Sequence, residues 1–553
     1  MNSRQRRGLW PIVGGAWAAV FVTAASAQEF RSVPPEPAVR GVTVAEHFVR
    51  QQQLNTWLTR EMPHGTLATR VGIKLTRDER SDLQKRVPAG GAPLRIGTVK
   101  SLTPAVSVSG LVPQAQNQGV SQVAGGRFQT TDDGGFVWAL AIGSEGANGI
   151  RVHLKNFSLP ANADMYFFNL EGEAHGPYQG RGRNGDGDFW TNTVFSETAV
   201  ILLRQFGPAT QQDQRNLAFV IDRVGHIGGG FPVSGPQGHL FSHDQCGNAS
   251  CVLDASCGGL GPAAPAADAV AKIEWVQGRF IFTCSGGLIA DTDGSAQRNL
   301  FLTANHCISK KRNASNMETF FFYTTSSCNG NCLASPPTST IGSTILRTSQ
   351  NGDFTLLELS ENPPSGTMFL GFNNSLIAFT GGAELYRISN PNFGPQVFSH
   401  HQVDLNKPTC GTLPRGEFIY SVDVEGATDG GSSGAPVVNS AGEIVGQLFG
   451  CCGFNCSNVC NKGANATVDG ALAFYYDQVE EFLDPSPCTP STEVCDNGID
   501  DDCDSFVDCD DADCNGDPAC EVSGCTGLGN KEPCNENSEC CSGKCRKGTC
   551  RGN

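Results

Sequence analysis

The first 245 residues of this 553-residue chain contain no cysteine, whereas the rest of the chain contains all 24. After a short apolar stretch at the N-terminus, no run approaches the roughly 20 apolar residues that cross a bilayer, so the sequence predicts no membrane span. Positive charge is also scarce, since the formal net charge is −16 and the pI is near 5.1. This balance argues against nucleic acid as a main partner.

The N-terminus has the features of a secretory leader. Basic residues at positions 4, 6 and 7 precede an apolar stretch from Leu9 to about Ala24, and a small-residue cleavage site follows at Ala25-Ser26-Ala27. We therefore predict a signal peptide over residues 1–27 and a secreted protein, extracellular or periplasmic. The pair Arg6-Arg7 leaves a twin-arginine export route open beside the general secretory route.

The cysteines fall into three even blocks, with twelve between Cys246 and Cys460, six between Cys488 and Cys520, and six between Cys525 and Cys550. Even counts in an exported chain favour disulfides over metal sites and indicate separately bridged units. With the composition of the remaining chain, they predict domains over residues 28–240, 241–484, 485–522 and 523–553.

The cysteine-free part, residues 28–240, is too rich in apolar residues to be a linker. Its strand-like runs are separated by clusters of Gly, Asn, Asp and Pro, which is typical of an all-β sandwich. These runs are Phe136 to Ile142, Ile150 to Leu154, Ala163 to Asn169 and Thr198 to Arg204. A helix-compatible stretch, Ala45 to Arg60, precedes them.

The most informative stretch is a glycine-crowded turn from Asp429 to Pro436, which leaves the hydroxyl of Ser433 clear of bulky neighbours. Glycines let a backbone turn tightly and aim its N–H groups inward, so the amides of Gly431 and Ser433 are candidates for an oxyanion hole. Gly-Ser-Ser-Gly by itself is also ordinary loop composition.

Two upstream segments supply partners for this serine. Phe301 to Cys307 is an apolar run that ends in His306, and Asp353 opens a β-like run. A serine hydroxyl needs a base within reach, and an imidazole, with a pKa of about 6.5, can take and return a proton. A carboxylate fixes the imidazole tautomer and stabilises the imidazolium. We therefore predict a catalytic triad of His306, Asp353 and Ser433; taken singly, a packing histidine and a turn-capping aspartate are the alternatives.

A half-cystine directly after His306 would fix the backbone of the histidine. The best partner for Cys307 is Cys284, because a bridge between them would join neighbouring strands at the base of the imidazole. Closing a loop of this length stabilises the fold by roughly 3 kcal/mol in the chain-entropy model.

With these motifs, the chain resembles the chymotrypsin-like serine proteases, and most of all the secreted bacterial lysyl-endopeptidase group. The matching segments are residues 303–307, 352–357 and 431–436, in the family's order, and the resemblance covers about residues 240 to 484. It implies a mainly β protein with a chymotrypsin-like double β-barrel. It also implies a serine endopeptidase that acts on proteins or peptides through an acyl-enzyme and requires no cofactor for catalysis.

The resemblance also suggests that the β-sandwich-like region is a propeptide. Such a segment would assist folding and block the cleft until it is removed by cleavage between about Arg223 and Gln245. A retained glycan- or protein-binding module is the alternative. Because Ser432 stands where the pancreatic-type enzymes have an aspartate, their activating salt bridge cannot form here.

The family's bridging pattern implies two further groups of disulfides. One joins Cys251 or Cys257 to Cys328 or Cys332. The other joins Cys246 to a late cysteine, which would be one of Cys451, Cys452, Cys456 and Cys460.

Lysyl cleavage in the resembled group requires an acidic side chain in the primary pocket. Asp469 is the main candidate after the nucleophile, and Asp429 or Glu425 are candidates before it. Alignment on the family's glycine instead places the selecting position near Thr467, and the residue six before the nucleophile is Ala427. A preference for Lys or Arg and a small or polar pocket both stay open.

Residues 488–520 hold eleven Asp and Glu and no Lys or Arg. The segment resembles acidic cysteine-containing motifs of secreted bacterial proteins, and closely spaced carboxylates favour a hard cation such as Ca²⁺. Asp500, Asp502 and Asp504 are the candidate ligands. A solvated, disulfide-tied spacer is the alternative, since the closing glutamate of an EF-hand is missing.

The last six cysteines, with a central Cys540-Cys541 pair, resemble a knottin. That family's pairing would join Cys525 to Cys541, Cys534 to Cys545, and Cys540 to Cys550. We expect such a module to dock the protein to a surface or a substrate. The rival function for the whole chain is a catalytically inactive protease fold that binds or adheres through its C-terminal modules.

Overall fold

The computed structural model describes residues 30–83, 91–111, 119–228, 246, 248–293, 297–330, 338–453, 456–485, 492–495, 513–514, 520, 545–546 and 549–550. The predicted signal peptide, the Ca²⁺ ligands Asp500, Asp502 and Asp504, and most of the knottin-like block lie outside the described residues.

The elements before residue 229 follow one another as β1 Glu36–Pro37, α1 Val44–Glu61, β2 Val71–Ile73, α2 Arg77–Leu83, β3 Leu94–Ser109, β4 Ser121–Val123, β5 Gly126–Thr130, β6 Phe136–Ser144, β7 Gly149–Ser158, β8 Ala163–Phe168, β9 Ala174–Tyr178, β10 Phe189–Trp190, β11 Thr198–Gln205, α3 Gln211–Asn216 and β12 Ala218–Ile227.

Most of this region is a β-sandwich, as the strand-like runs predicted. One sheet has the order β4-β5-β6-β11-β8-β9, with β2 beside β6, and the other runs β10-β7-β12-β3. The even-numbered residues of β6 from Phe136 to Ile142 lie in the core between the sheets, and Val137, Ala139 and Ala141 lie under α1. Because both faces of β6 are buried, its sequence is a continuous apolar run.

The predicted helix is present as α1, and its start is fixed by a capping box. The amide of Glu46 donates to the hydroxyl of Thr43 at 3.1 Å, and the Glu46 carboxylate accepts from the Thr43 amide at 2.9 Å. Near the other end of α1, Leu58 is fully buried against the sheet.

The elements after residue 246 are β13 Leu253–Asp254, α4 Ala264–Ala269, β14 Val270–Gln277, β15 Phe280–Leu288, β16 Leu300–Ala304, α5 Lys311–Ala314, β17 Glu318–Phe321, β18 Thr338–Ile341, β19 Ser343–Ser349, β20 Phe354–Leu359, β21 Met368–Phe369, β22 Glu384–Ser389, β23 Val397–Val403, β24 Phe418–Gly426, β25 Pro436–Val438, β26 Ile444–Gly453, β27 Asn465–Ala471, α6 Leu472–Leu483, β28 Cys545–Arg546 and β29 Thr549–Cys550. Short 3-10 turns occur at Thr66–Thr69, Ala255–Cys257, Gly261–Ala263, Asn351–Asp353, Ile377–Phe379 and Pro391–Phe393.

Strands β14 to β20 form a first barrel, and β22 to β27 form a second. In the first, β15 pairs with β14 and β16, β16 with β20, β20 with β19, and β14 with β17, which pairs with β18. Strands β18 and β19 are separated only by Gly342, so one bent strand closes the ring. The second closes because β23 pairs with both β22 and β24. The predicted mainly β double barrel is confirmed.

The sandwich is continuous with the first barrel. Strand β3 pairs antiparallel with the first half of β15, and Leu94 lies opposite Thr283. Buried polar contacts reinforce the junction, since Arg151 donates to the carbonyl of Asn316 at 2.9 Å and the amide of Thr193 donates to Glu318 at 2.7 Å. Buried charges of this kind require such partners.

The first described residues lie on the barrels and not on the sandwich. Strand β1 pairs with β21 in the segment that joins the two barrels, and Val33 donates its amide to Phe372 at 2.9 Å. Arg31 forms a 2.6 Å ion pair with Asp484. We call residues 30–43 the N-terminal strap. Residues 28–240 therefore contain two structural parts with different contacts.

Disulfides connect the barrel region, as Cys251–Cys460, Cys257–Cys328, Cys284–Cys307, Cys410–Cys452 and Cys451–Cys456. Cys246 is disulfide-bonded too, but all four late cysteines have other partners, so its expected pairing with that group is wrong. The late cysteines of β26 bridge to nearby loops instead. In the acidic segment, Cys495 is bonded to Cys514.

Candidate active site

His306 and Asp353 are brought together by the register of two paired strands. Strand β16 ends at Ala304 and lies opposite Phe354, the first residue of β20. His306 follows the end of one strand and Asp353 precedes the start of the other. Two residues that are 47 positions apart in the sequence therefore lie next to each other.

The contact between the two side chains is bidentate. One carboxylate oxygen of Asp353 accepts from the backbone amide of His306 at 2.9 Å, and the other lies 2.7 Å from its Nδ1. Both side chains are largely buried. This arrangement holds Nδ1 as the protonated nitrogen and leaves Nε2 to act as a base. Nε2 is buried and has no hydrogen-bond partner among the described residues.

Ser433 lies in the turn before β25, in the second barrel, and contacts the first barrel directly. Its carbonyl accepts from the amide of Ser285 at 2.8 Å and lies 3.8 Å from Sγ of Cys307. Its Oγ lies 3.5 Å from the carbonyl oxygen of Phe449. The Phe449 ring in turn packs edge-on against the imidazole of His306, with centroids 5.7 Å apart. The three predicted triad residues therefore lie close together at the junction of the two barrels.

The close approach of the nucleophile turn to the first barrel requires a glycine. Gly434 has a φ of +82°, and a Cβ there would lie 2.3 Å from Oγ1 of Thr303 and 2.5 Å from the carbonyl oxygen of Ser285. Both the left-handed backbone and the close contact exclude a side chain at this position. The glycine motif of the sequence therefore has a packing role beyond its turn.

The amides predicted to form the oxyanion hole belong to a turn in which neighbouring backbone groups already have hydrogen-bond partners. The amide of Ser432 donates to the carbonyl of Asp429 at 3.0 Å, and the carbonyl of Gly431 accepts from the hydroxyl of Ser285 at 2.9 Å. Within the described parts of the chain, no group accepts from the amides of Gly431 or Ser433. These two donors are free for a ligand.

Ser432 stands where the pancreatic-type enzymes have an aspartate. It is fully buried, and its hydroxyl is hydrogen-bonded within the protein. Its hydroxyl lies 2.9 Å from that of Ser389 on β22. The residue before the nucleophile is thus fixed by a neutral contact.

The predicted pocket residues are in different environments. Asp469 is fully buried and forms a 2.5 Å ion pair with Arg387, and Ala427 is fully buried too. Thr467, on β27, donates its hydroxyl to Asp423 at 2.9 Å. Their roles in substrate binding stay predictions, although the carboxylate of Asp469 is committed to an arginine. Asp429 caps its own turn, with Oδ1 2.8 Å from the Gly430 amide.

Asp423 is an acidic residue that sequence reasoning missed. It lies on β24, four residues before Ala427, and Nδ1 of His401 lies 2.9 Å from its Oδ1. Burial acts to raise the pKa of Asp423, but His401, Thr467 and Arg387 together outweigh burial and lower it. Burial, assisted by Arg387, lowers the pKa of His401, so this imidazole is neutral near pH 7. Nothing in the sequence distinguishes Asp423 from the exposed acidic residues around it.

The strand pairing is that of the chymotrypsin-like fold, with two antiparallel six-stranded barrels, and the three predicted triad residues lie at the junction of the barrels. Residues 247–466 match the family model described as "Lysyl endopeptidase, C-terminal domain". This match confirms the resemblance that the motifs predicted for this region of the chain.

Two curated proteins illustrate the sequence similarity. The lysyl endopeptidase of Pseudomonas aeruginosa is 26% identical over 380 residues, which cover 66% of this chain and 75% of that protein. The secreted RxLR effector protein 73 of Plasmopara viticola is 24% identical over 331 residues, which cover 57% of this chain and 78% of that protein. Both matches extend beyond the size of the family domain.

Solved structures of similar fold include the active form of the Rv3671c protease of M. tuberculosis and the serine endoprotease of Yersinia pestis. Each has a TM-score of 0.28 and 14% sequence identity, and they cover 42% and 40% of this chain and 90% and 65% of their own chains. The fold assignment here rests on the strand pairing described above.

Proposed function

We propose that this protein is a secreted serine endopeptidase, made as a precursor, in which Ser433, His306 and Asp353 carry out acyl transfer. The observation that supports it best is the bidentate contact of Asp353 with both the amide and Nδ1 of His306, in the cleft that also holds Ser433. Export is supported by the leader, and no helix in the described ranges has the length and apolarity for a membrane crossing.

In the proposed reaction, Oγ of Ser433 attacks the scissile carbonyl carbon while Nε2 of His306 takes its proton. The amides of Gly431 and Ser433 bind the resulting oxyanion. The intermediate then collapses, the C–N bond breaks, and the imidazolium gives its proton to the leaving amine. Water repeats the sequence on the acyl-enzyme and releases the acid product. Nucleophile, base and anion donors all come from the chain, so the chemistry requires no cofactor.

The proposal of a precursor is supported by the chain that precedes β3. Gly91 has a φ of +61° and lies so close to the Phe449 ring that a Cβ there would be 2.4 Å from Cζ. Three residues later, Leu94 pairs with Thr283, which is next to the bridged Cys284.

Three residue steps span at most about 11 Å. Residues 91–94 therefore span the distance from the Phe449 ring, which packs on His306, to β15, and a segment placed there would obstruct a protein substrate. Cleavage in the stretch between Arg223 and Gln245 would break the covalent link between the sandwich and the barrels, after which only non-covalent contacts such as the pairing of β3 with β15 would hold them together. Arg223 lies within β12, and residues 229–245 lie outside the described parts.

For the primary pocket, we propose that Asp423 with Thr467 supplies a preference for Lys or Arg. The buried group of Arg387, Asp469, His401 and Asp423 has one positive and two negative charges when His401 is neutral. The remaining negative charge lies at Asp423, which is the least buried of the four. Asp423→Asn should lower kcat/KM for Lys and Arg substrates by about 10-fold or more while sparing substrates with a small neutral residue.

An active-site probe separates the protease from the rival binding protein. A fluorophosphonate should label the processed wild-type protein covalently and should not label Ser433→Ala. A processed wild-type protein that stays unlabelled, with its fold intact by circular dichroism, would instead favour an inactive protease fold that acts through its C-terminal modules.

For the C-terminal modules, we propose Ca²⁺ binding by Asp500, Asp502 and Asp504 and surface or substrate docking by the knottin-like block. Calorimetric titration of the full chain with Ca²⁺, beside a variant with the three aspartates changed to asparagine, tests the first idea. Equal heats for the two proteins would contradict it.

A further inference from the structure

The backbone that carries Asp353 is held in an unfavourable conformation. Gly352 has a φ of +73° and Asp353 a φ of +50°, so two successive residues are left-handed. A residue with a side chain rarely adopts this conformation unless its surroundings fix it. The groups that hold this turn therefore also determine where the carboxylate points.

Three groups hold this turn: the carboxylate of Glu417, which accepts from the Gly352 amide at 2.8 Å, the amide of Asn305, which donates to the Asp353 carbonyl at 2.9 Å, and the side chain of Gln447. Its Nε2 donates to the carbonyl oxygen of Gly352 at 2.8 Å and to that of Asp353 at 3.0 Å. Its side chain is fully buried. Gly470 leaves the space for this contact, since a Cβ there would lie 2.3 Å from Nε2 of Gln447 and 1.9 Å from the carbonyl oxygen of Gly352.

Tyr475 fixes the orientation of the glutamine amide. Its hydroxyl donates to Oε1 of Gln447 at 2.5 Å, and its ring stacks on Phe354 with centroids 4.0 Å apart. Burial, together with the charge of Asp353, holds the pKa of Tyr475 well above its ordinary value, so the hydroxyl stays protonated and can only donate to this oxygen. The NH₂ group of Gln447 must then face the two carbonyls.

The same strand also supports the nucleophile. Gln447 belongs to β26 of the second barrel, and the carbonyl of the next residue, Leu448, accepts from the amide of Gly434 at 2.7 Å. One residue further, the carbonyl of Phe449 lies 3.5 Å from Oγ of Ser433. Consecutive residues of one strand thus contact the nucleophile turn and the aspartate turn, which belong to different barrels.

We propose that Gln447 is a positioning residue for the reaction: from the second barrel it fixes the left-handed turn of Asp353, and so aligns His306 with Ser433 across the barrel junction. The inference deepens the proposed function and rests on it. Gln447 does not touch the substrate, so its removal should slow the chemical step without weakening substrate binding.

The chain offers a matched control. Gln396 is equally buried, and its Nε2 also donates to two backbone carbonyls, those of Ala267 at 2.9 Å and Val270 at 3.0 Å. Gln447→Met and Gln396→Met should therefore destabilise the protein to a similar extent. We expect kcat of the processed protein to fall by about 10- to 100-fold for Gln447→Met with KM changed less than about 2-fold, and to stay near wild type for Gln396→Met. Equal losses of kcat in the two variants would overturn the proposal.

Gln447→Glu gives a signature that a purely structural role would not give. A carboxylic acid at this place can donate to one of the two carbonyls, whereas a carboxylate would repel both. The activity of Gln447→Glu relative to wild type should therefore decrease as the pH rises, whereas the ratio for Gln447→Met should be constant. A constant ratio for Gln447→Glu would show that donation to the carbonyls does not matter.

A spectroscopic measurement keeps this idea separate from the proposed activity. In protein labelled with ¹⁵N-histidine, the Nδ1–H proton of His306 reports its hydrogen bond to Asp353 whether or not the enzyme turns over. Its resonance should shift or broaden in Gln447→Met and not in Gln396→Met. An unchanged resonance in Gln447→Met would overturn the positioning role alone, while a wild type that no fluorophosphonate labels would overturn the proposed function alone.

Discussion

The sandwich and the double barrel are both antiparallel β structures, yet they are stabilised differently. The sandwich contains no cysteine and depends on a large apolar core around Trp138, while the barrels carry several disulfides, one of them directly beside His306. A region without covalent bridges unfolds and is degraded more easily once it is detached. This contrast agrees with the proposal that the sandwich is a propeptide that is removed, whereas the barrels persist outside the cell.

The largest expected effect concerns the barrels only. Asp353→Asn should lower kcat by about 10⁴-fold, because an amide favours the wrong imidazole tautomer and cannot stabilise the imidazolium. Thermal unfolding of the sandwich should be unchanged. Steady-state kinetics of the processed variant, with the titrated number of active sites as the control, measures the loss; a decrease of less than about 10-fold would contradict the role of Asp353.

Next in size is a change in the core of the sandwich. Trp138→Ala should destabilise that region by about 3–5 kcal/mol, since it empties a fully buried site between the two sheets. Denaturation followed by limited proteolysis should show the sandwich lost first while the barrels stay resistant. Simultaneous loss of both would mean that the shared pairing of β3 with β15 makes them one cooperative unit.

Removal of the bridge beside the histidine should affect the barrels alone. The double variant Cys284→Ala/Cys307→Ala should destabilise them by roughly 3 kcal/mol in the chain-entropy model. The same pair of changes at Cys451 and Cys456, which close a much shorter loop, is the matched control and should cost less. The comparison fails if both double variants unfold at the same denaturant concentration.

A smaller effect is expected where the two regions meet in the cleft. Gly91→Val would place a side chain against the Phe449 ring at a left-handed position, which should loosen the covering segment. The uncleaved precursor should then react with a fluorophosphonate several-fold faster than wild type. Gly119→Val is the control, because a Cβ at Gly119 meets no atom within 4 Å. Identical labelling of Gly91→Val and wild-type precursor would show that residues 91–94 do not obstruct the cleft.

The smallest effect concerns Asp291, a neighbour of Glu36 in the N-terminal strap. Burial, together with the negative charge of Glu36, raises the pKa of Asp291 to about 6. A carboxyl group whose folded pKa is raised stabilises the fold at acid pH, and this contribution is lost as the pH rises from about 4 to about 6. After discounting for solvent screening, Asp291→Asn should add about 1 kcal/mol at pH 7 and almost nothing at pH 4. A gain of equal size at both pH values would contradict this assignment.

Much of the fold could be predicted from local pattern. The capped helix α1, the apolar run of β6 and the three motifs of the proposed triad each depend on residues close together in the sequence. The placement of the strap could not be predicted, because its contacts with β21 and Asp484 join residues more than 300 positions apart. The pairing of Cys251 with Cys460 was missed because it also joins distant positions, which are 209 residues apart.

The sequence by itself determined which chemistry could be proposed for this protein, since a serine in a glycine turn, a histidine before a half-cystine and an aspartate opening a strand each carry a local signal. Only the tertiary structure decided which groups hold these residues in place. Gln447 and Asp423 belong to strands in which the alternation of apolar and polar residues gives no sign of function. The residues that they contact are determined by the pairing of strands across a barrel. Local residue preferences act over a few positions, whereas the burial and hydrogen bonding of a side chain depend on every element that packs around it.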